Sequence, residues 1–88
     1  MSKNKFTHAD DVFRELLKQT RLAKNLTQAD VARRLGLPQS YVSKYETGER
    51  RLDFVETAVV CRALGLSVEE FTAAFSSRLA KSSRAKRD

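Results

Sequence analysis

Large apolar residues recur along the chain at the three- and four-residue spacing of a helix surface. The first stretch contains Phe13, Leu16 and Leu17, and the last contains Phe71 and Phe75 in a step of four. Residues with this spacing lie on one face of an α-helix and can bury that face in a core. No segment of strand length alternates between apolar and polar positions. The pattern therefore predicts a small all-α fold.

Polar signals mark where the helices begin and end. Each of the three glycines, Gly36, Gly48 and Gly65, follows an apolar stretch, as expected of a residue that ends a helix at positive φ. Four pairs have the spacing of a capping box, a hydroxyl or carboxylate three residues before an acid: Thr7 and Asp10, Thr27 and Asp30, Asp53 and Glu56, and Ser67 and Glu70. Together these signals predict five helices, at about residues 8–24, 28–35, 39–46, 54–64 and 68–80.

The chain has 88 residues, the size of one compact domain. After Leu79 it contains no large apolar residue, and four of its last eight residues are basic. A segment without apolar side chains cannot bury enough surface to offset the entropy lost on ordering. We therefore predict a folded domain over residues 1–80 and a basic, disordered tail over residues 81–88.

The last two predicted helices differ in how fully the core can cover their apolar residues. In the fourth helix, the spacing predicts one inner face formed by Phe54, Ala58, Cys61 and Leu64. Val55 and Val59 add to the width of that face. In the fifth, a domain this small leaves Phe75 or Leu79 partly outside the core. Apolar surface left in this way can contact a second copy of the chain. Phe75 and Leu79 are therefore the candidate interface of a homodimer.

The net charge is +6, and it is distributed unevenly along the chain. Residues 14–51 carry +5 and residues 76–88 carry +4, whereas residues 52–75 carry −3. A basic first half and a basic end suit a surface that binds a polyanion such as nucleic acid. Solubility explains the charge equally well when the charge is considered alone.

Composition excludes several classes of protein. No apolar run exceeds four residues, far fewer than the roughly 20 of a membrane-spanning helix, and residues 1–6 lack the apolar segment of a signal peptide. One cysteine and one histidine supply neither a disulfide nor a zinc site. The sequence contains no nucleophile–base pair at a matching spacing and no glycine-rich phosphate loop. We therefore expect no membrane segment, metal, cofactor, small-molecule ligand or enzymatic activity.

The most informative stretch runs from Thr27 to Gly48 and reads TQADVARRLGLPQSYVSKYETG. It predicts two short helices joined by a turn at Gly36, with Val42 and Tyr45 packing back on the first of them. Four polar residues lie on the outer face of the second helix of this pair, which is the third of the five predicted helices, and a core needs none of them: Gln39, Ser40, Ser43 and Lys44. Amide, hydroxyl and ammonium groups of this kind hydrogen-bond to base edges in the major groove of DNA. The stretch therefore predicts a helix-turn-helix with a DNA-reading second helix.

The segment LTQADVARRLGLPQSYVSKYETGERR resembles the lambda-repressor-like, Xre/Cro-type helix-turn-helix domains of bacteria and their phages. The resemblance extends over about residues 13–76. It implies a five-helix DNA-binding domain in which helices two and three, residues 28–47, form the motif. It also implies a transcriptional regulator, a repressor, that binds double-stranded DNA at a palindromic operator as a homodimer without a cofactor. Such a protein is cytoplasmic and associated with the nucleoid.

The same resemblance assigns the residues of the third helix that contact bases. Gln39, Ser40 and Lys44 match the family's base-facing positions; the Gln39 amide can bind adenine through two hydrogen bonds, and Lys44 suits guanine or the O4 of thymine. Gln28 matches a residue that contacts a backbone phosphate and braces Gln39. Ser43, on the same outer face, is assigned to the group that contacts phosphate and positions the protein.

Two further matches concern the loop after the motif and the scaffold behind it. Arg50 and Arg51 follow Gly48, where the family's loop crosses the sugar-phosphate backbone. Arg21 and Glu46 match an ion pair that ties the first helix to the end of the third, and we expect this pair to be largely buried. Such residues position the protein on the duplex and carry no sequence information themselves.

A second class of function stays open at this point: a protein-interaction module on the same fold, such as an antitoxin or an adaptor. A toxin-neutralising segment would then be expected, and the thirteen residues after residue 75 are short for one. Small restriction-modification controller proteins are a subtype of the DNA-binding class, since they are single domains of about this length.

Overall fold

A computed structural model describes residues 7–86 as five α-helices, with side chains described as far as Ser82. The helices are α1 (Thr7–Ala23), α2 (Gln28–Leu35), α3 (Gln39–Thr47), α4 (Phe54–Ala63) and α5 (Val68–Lys86). No strand occurs in this part of the chain, so the all-α prediction is confirmed. None of the helices in the described residues combines the length and the apolar character that crossing a membrane requires.

Capping boxes begin α2, α4 and α5, at three of the four pairs that the sequence predicted. At α2 the Thr27 hydroxyl accepts from the Asp30 N–H at 3.0 Å, and the Thr27 N–H donates to the Asp30 carboxylate at 2.8 Å. This backbone donor, with the Arg33 side chain, holds the pKa of Asp30 at about 2, below its usual range. The same reciprocal bonds begin the later helices: Asp53 with Glu56 for α4, and Ser67 with Glu70 for α5. The predicted bounds of α1 to α4 are each within one residue of those observed, and capping boxes account for the starts of α2 and α4.

The core lies where all five helices meet. Its fully buried side chains are Leu17, Val31, Val42, Tyr45, Val60, Cys61 and Leu64. As predicted, Val42 and Tyr45 of α3 belong to the same cluster as Val31 of α2. Buried Phe71 closes the core from α5, and its ring meets Phe13 edge-on with the ring centres 5.7 Å apart. Because the inner side of α3 is buried here, its other side is held outward.

The outer side of α4 differs from the prediction. Phe54, Val55 and Val59, which the spacing placed on the inner face or its margin, are 71%, 68% and 52% exposed. Val60 and Cys61 are fully buried on the other side of the helix. Apolar residues surround most of α4, so the spacing alone does not show which side faces the core. Phe54, Val55 and Val59 form an exposed apolar patch, which we name the α4 outer face.

The apolar residues of α5 are partly covered. Phe75 and Leu79 are both half-buried, and Phe75 meets the ring of Phe13 edge-on with centres 6.2 Å apart. Phe54 and Phe75 also line a groove of about 380 Å³ between α5 and the starts of α1 and α4. The α4 outer face is therefore continuous with the groove beside Phe75.

The end of α5 also differs from the prediction, because the helix continues to Lys86 rather than ending near residue 80. Serine, arginine, alanine and lysine all tolerate a helix interior, and no glycine or proline follows Gly65 to end it. The Ser82 hydroxyl also lies 2.9 Å from Nε2 of His8 on α1. α5 therefore includes residues 81–86 of the segment that the sequence assigned to the tail, while Arg87 and the last residue lie outside the described part.

Candidate nucleic-acid interface

The turn between α2 and α3 completes a helix-turn-helix. Gly36 has a φ of +71°, and its N–H donates to the Arg33 carbonyl at 3.2 Å. The next N–H, of Leu37, reaches the Ala32 carbonyl at 3.0 Å. Glycine adopts this left-handed conformation without the steric cost of a Cβ, so α2 can end and α3 can begin in a new direction after only three residues.

The turn sets α3 on the surface with its polar side outward. Gln39, Ser40 and Lys44 are exposed, and Ser43 is half-buried beside them. All four lie within one helical turn and a half of each other, outside the side of α3 that Val42 and Tyr45 bury. The structure thus brings together the residues that the sequence assigned to base reading.

The predicted ion pair between Arg21 and Glu46 is present and buried, with side chains 9% and 4% exposed. The Arg21 Nε donates to Glu46 Oε2 at 2.7 Å, and its Nη2 donates to Oε1 at 3.0 Å. The remaining terminal nitrogen donates to the Leu26 carbonyl at 2.8 Å. The hydrogen bond to Glu46 raises the pKa of Arg21, so the guanidinium stays charged. This two-point bond fixes the end of α3 to α1.

Hydrogen bonds continue from this ion pair to the surface of α3. Gln28, the first residue of α2, donates from Nε2 to Glu46 Oε1 at 3.0 Å. Its Oε1 accepts from Nε2 of Gln39 at 3.3 Å. The contact between Gln28 and Gln39 is the bracing that the family resemblance implied.

Arg50 is held by groups of its own chain. It forms an ion pair with Glu56, and its guanidinium lies 4.8 Å above the ring centre of Tyr41. The Tyr41 hydroxyl is 3.5 Å from the same carboxylate. Hydrogen bonding to Glu56 raises the pKa of Arg50. The pKa of Glu56 is lowered, chiefly by the hydrogen bond from the Asp53 N–H and to a lesser degree by Arg50. A phosphate group would have to replace Glu56 as the partner of Arg50.

Arg51 is held in a similar way by α1. Its two terminal nitrogens donate to the carboxylate of Asp10 at 3.1 and 3.3 Å. The family resemblance assigned both loop arginines to phosphate and gave no sign of these carboxylates. Asp10 is 41 positions away from Arg51, and no spacing rule pairs residues at that distance.

A third arginine, Arg14 of α1, lies beside the same loop. It pairs with Asp11, and its Nε is buried without a hydrogen-bond partner among the described residues. A Cβ added at Gly48 would lie 3.1 Å from the Arg14 guanidinium, and Gly48 has a φ of +92°. The backbone conformation therefore favours glycine there, and a Cβ would also press on the Arg14 guanidinium. Arg14, Arg50 and Arg51 line one cleft of about 140 Å³ at the end of α3.

Cys61 is the one cysteine of the sequence, and it is fully buried in the core. Burial raises the pKa of its thiol to about 11. Within residues 7–86, no group of three histidine, cysteine or acidic side chains could hold a metal ion.

Known proteins share both this sequence pattern and this geometry. A family model described as a helix-turn-helix domain matches residues 12–74. An XRE-family like protein from Pseudomonas syringae pv. tomato str. DC3000 is 37% identical over 81% of this chain and 87% of its own, with a TM-score of 0.77. The fold is that of a helix-turn-helix DNA-binding domain. The chain belongs to the Xre family of helix-turn-helix proteins.

Solved structures of the restriction-modification controller protein C.Esp1396I also share the fold. The wild-type protein is 24% identical over 82% of this chain and 95% of its own, with a TM-score of 0.76. The tetramer of that protein in complex with its natural 35-base-pair operator has the same identity, coverage and TM-score. No curated protein sequence matches the chain.

Proposed function

We propose that this chain is a sequence-specific transcriptional regulator, a repressor, that binds a palindromic operator as a homodimer. The observation that carries the proposal is the outward polar side of α3, held rigidly by the buried pair of Arg21 and Glu46. A helix fixed in this way can enter the major groove with its side chains already oriented. Because its ligand would be chromosomal DNA, its place of action is the cytoplasm, at the nucleoid.

Base contacts fall to the exposed residues of α3. Gln39 would read adenine, Lys44 would read guanine or thymine, and Ser40 would add a further hydrogen bond. Each group is in solvent on the same side of the helix, so one groove can receive them together.

Backbone contacts fall to the groups around that helix. Gln28 and Ser43 flank the base-reading residues, and Arg50 and Arg51 follow from the loop. Each arginine would exchange its carboxylate for a phosphate, since the two anions accept the same pair of hydrogen bonds. These contacts would set the position of the protein on the duplex.

The dimer interface extends beyond the two residues that the sequence indicated. Phe75 and Leu79 are half-buried, whereas the α4 outer face is largely exposed and joins the groove beside Phe75. Residues 52–75, which include this face, carry −3, so DNA is a poor partner for it. Reading two half-sites one helical turn apart requires a two-fold pair of recognition helices. A second copy of the chain, bound to the α4 outer face and the end of α5, would supply the second recognition helix.

Val55→Glu should weaken dimerisation by at least about tenfold, because it would place an unpaired carboxylate in an apolar contact. Sedimentation equilibrium over a range of concentrations measures the change. Leu22→Glu is the matched control, since Leu22 is 46% exposed on α1, and it should dimerise like the unmodified chain. A Val55→Glu protein that dimerises equally well would contradict this interface.

The basic end of the chain should add affinity without sequence preference. Removing residues 83–88 keeps the contact between Ser82 and His8 and deletes Arg84, Lys86 and Arg87. The slope of log affinity against log salt should then flatten by up to roughly 0.9 for each phosphate that the shortened chain no longer neutralises. Filter binding to random duplex DNA at several salt concentrations measures this slope, and an unchanged slope would show that this end does not contact DNA.

Selection of bound duplexes from a random DNA pool tests the function directly. We expect enrichment of inverted repeats whose half-site centres are about 34 Å apart, or a multiple of that distance. A pool that shows no enriched sequence, although the protein is folded, would overturn the proposal. The interaction-module alternative, an antitoxin or adaptor, would then be the better account.

A further inference from the structure

One continuous line of hydrogen bonds leads from the buried interior to the outward side of α3. Arg21 donates twice to Glu46, Gln28 donates to Glu46 at 3.0 Å, and Gln39 donates to Gln28 at 3.3 Å. The line begins at side chains under 10% exposed and ends at an exposed one. It joins α1, α2 and both ends of α3.

Each bond in this line fixes the direction of the next. A carboxylate paired with a guanidinium only accepts hydrogen bonds, so Gln28 must present its NH₂ group to Glu46. The carbonyl oxygen of Gln28 then points toward α3 and can only accept. Gln39 must therefore present its own NH₂ group to Gln28, because the opposite orientation would place two oxygens against each other.

This direction decides what Gln39 can offer to DNA. One of its two N–H groups is used by Gln28, which leaves one N–H donor and the carbonyl acceptor. Adenine presents one acceptor, N7, and one donor, N6–H, in the major groove, and a correctly oriented amide matches both. An amide free to rotate by half a turn would offer donor and acceptor in either order.

We propose that Glu46 is a positioning residue that, through Gln28, fixes the orientation of the Gln39 amide and so sets the base preference at that position; this rests on the proposed function. The ion pair thus acts on specificity as well as on stability. Gln28 acts as the connection between the interior and the base-reading residue, in addition to its proposed contact with phosphate.

Glu46→Gln tests this proposal, because a glutamine at this position can either donate to or accept from Gln28. We expect the preference for adenine at the position read by Gln39 to fall by about fivefold or more, toward the value for Gln39→Ala. The measurement compares affinities for the selected operator and for variants with single base changes at each position. The preference at positions read by Lys44 should be unchanged.

Two further variants separate this role from a loss of stability. Gln28→Met removes the connection while leaving the ion pair of Arg21 and Glu46 in place, and it should reduce the same base preference. Val60→Ala is the matched control, since it destabilises the core by leaving a cavity far along the chain from the line. Its base preferences should be those of the unmodified protein.

Combining Glu46→Gln with Gln39→Ala gives the strictest comparison, since the double variant should show no further loss of preference beyond Gln39→Ala. The proposal would be overturned if both Glu46→Gln and Gln28→Met kept the base preferences of the unmodified protein. It would also be overturned if Gln39→Ala did not change the base preference. In either case an enriched operator sequence would leave the proposed function standing. An unmodified protein with no sequence preference would overturn both.

Discussion

Glu46→Ala should lower the free energy of unfolding by about 3–5 kcal/mol, the cost of leaving one buried charge without its partner. Arg21 would keep only its bond to the Leu26 carbonyl, in surroundings where its side chain is 9% exposed. Gln28 would lose its acceptor as well. For a chain of this size the melting temperature should fall by more than about 10 °C. Urea and thermal unfolding followed by circular dichroism measure both quantities.

Glu15→Ala is the control for this change, because Glu15 is an exposed acid on α1 whose carboxylate accepts a hydrogen bond from Gln19 on the same helix. It should change the unfolding free energy by no more than about 0.5 kcal/mol. Replacing both members of the buried pair with apolar residues, Arg21→Met with Glu46→Leu, should recover much of the loss. A Glu46→Ala protein as stable as Glu15→Ala would show that the pair does not hold α3 in place.

Gln39→Ala and Lys44→Ala should each cost about 1–3 kcal/mol of binding on the selected operator and relax the base preference at one or two positions per half-site. Both side chains are exposed, so their removal leaves the fold intact. Affinities for the operator and for its single-base variants measure the change. The same substitutions should have little effect on binding to random DNA, because the bases carry the difference.

Arg50→Ala provides the contrast, since it should weaken binding to all duplexes alike and lower the salt slope by about one. Its effect on affinity should be modest, because the unbound arginine already has Glu56 as a partner. Equal losses on specific and random DNA for Gln39→Ala and Lys44→Ala would mean that α3 does not read bases.

Local chemistry explains most of what the sequence could predict. The starts of α2 and α4 follow from capping boxes, and the ends of α2 and α3 follow from Gly36 and Gly48, which act within a few residues of each helix end. The pairing of Arg21 with Glu46 spans 25 positions, and only the resemblance to a family indicated it. The end of α5 carries no such signal, and the helix continues past its predicted end.

What the sequence could not predict depends on which surfaces meet in three dimensions. The apolar residues around α4 fit either side of that helix, so the exposure of Phe54 and Val55 was decided by the packing of its neighbours. The carboxylates that hold Arg50 and Arg51 come from α4 and α1, at separations that no local pattern relates. The packing of Arg14 against Gly48 is of the same kind.

The burial of Cys61 makes the chain carry its own reporter of unfolding. Its thiol is fully enclosed and its pKa is raised to about 11, so a thiol-reactive reagent meets almost no thiolate in the folded protein. Labelling must wait until the core around α4 opens, and its rate then measures the population of open molecules. With a single cysteine in the chain, every labelled molecule records the same event. The free energy of opening can thus be followed in native buffer, on DNA and off it, without introducing a cysteine or adding a denaturant.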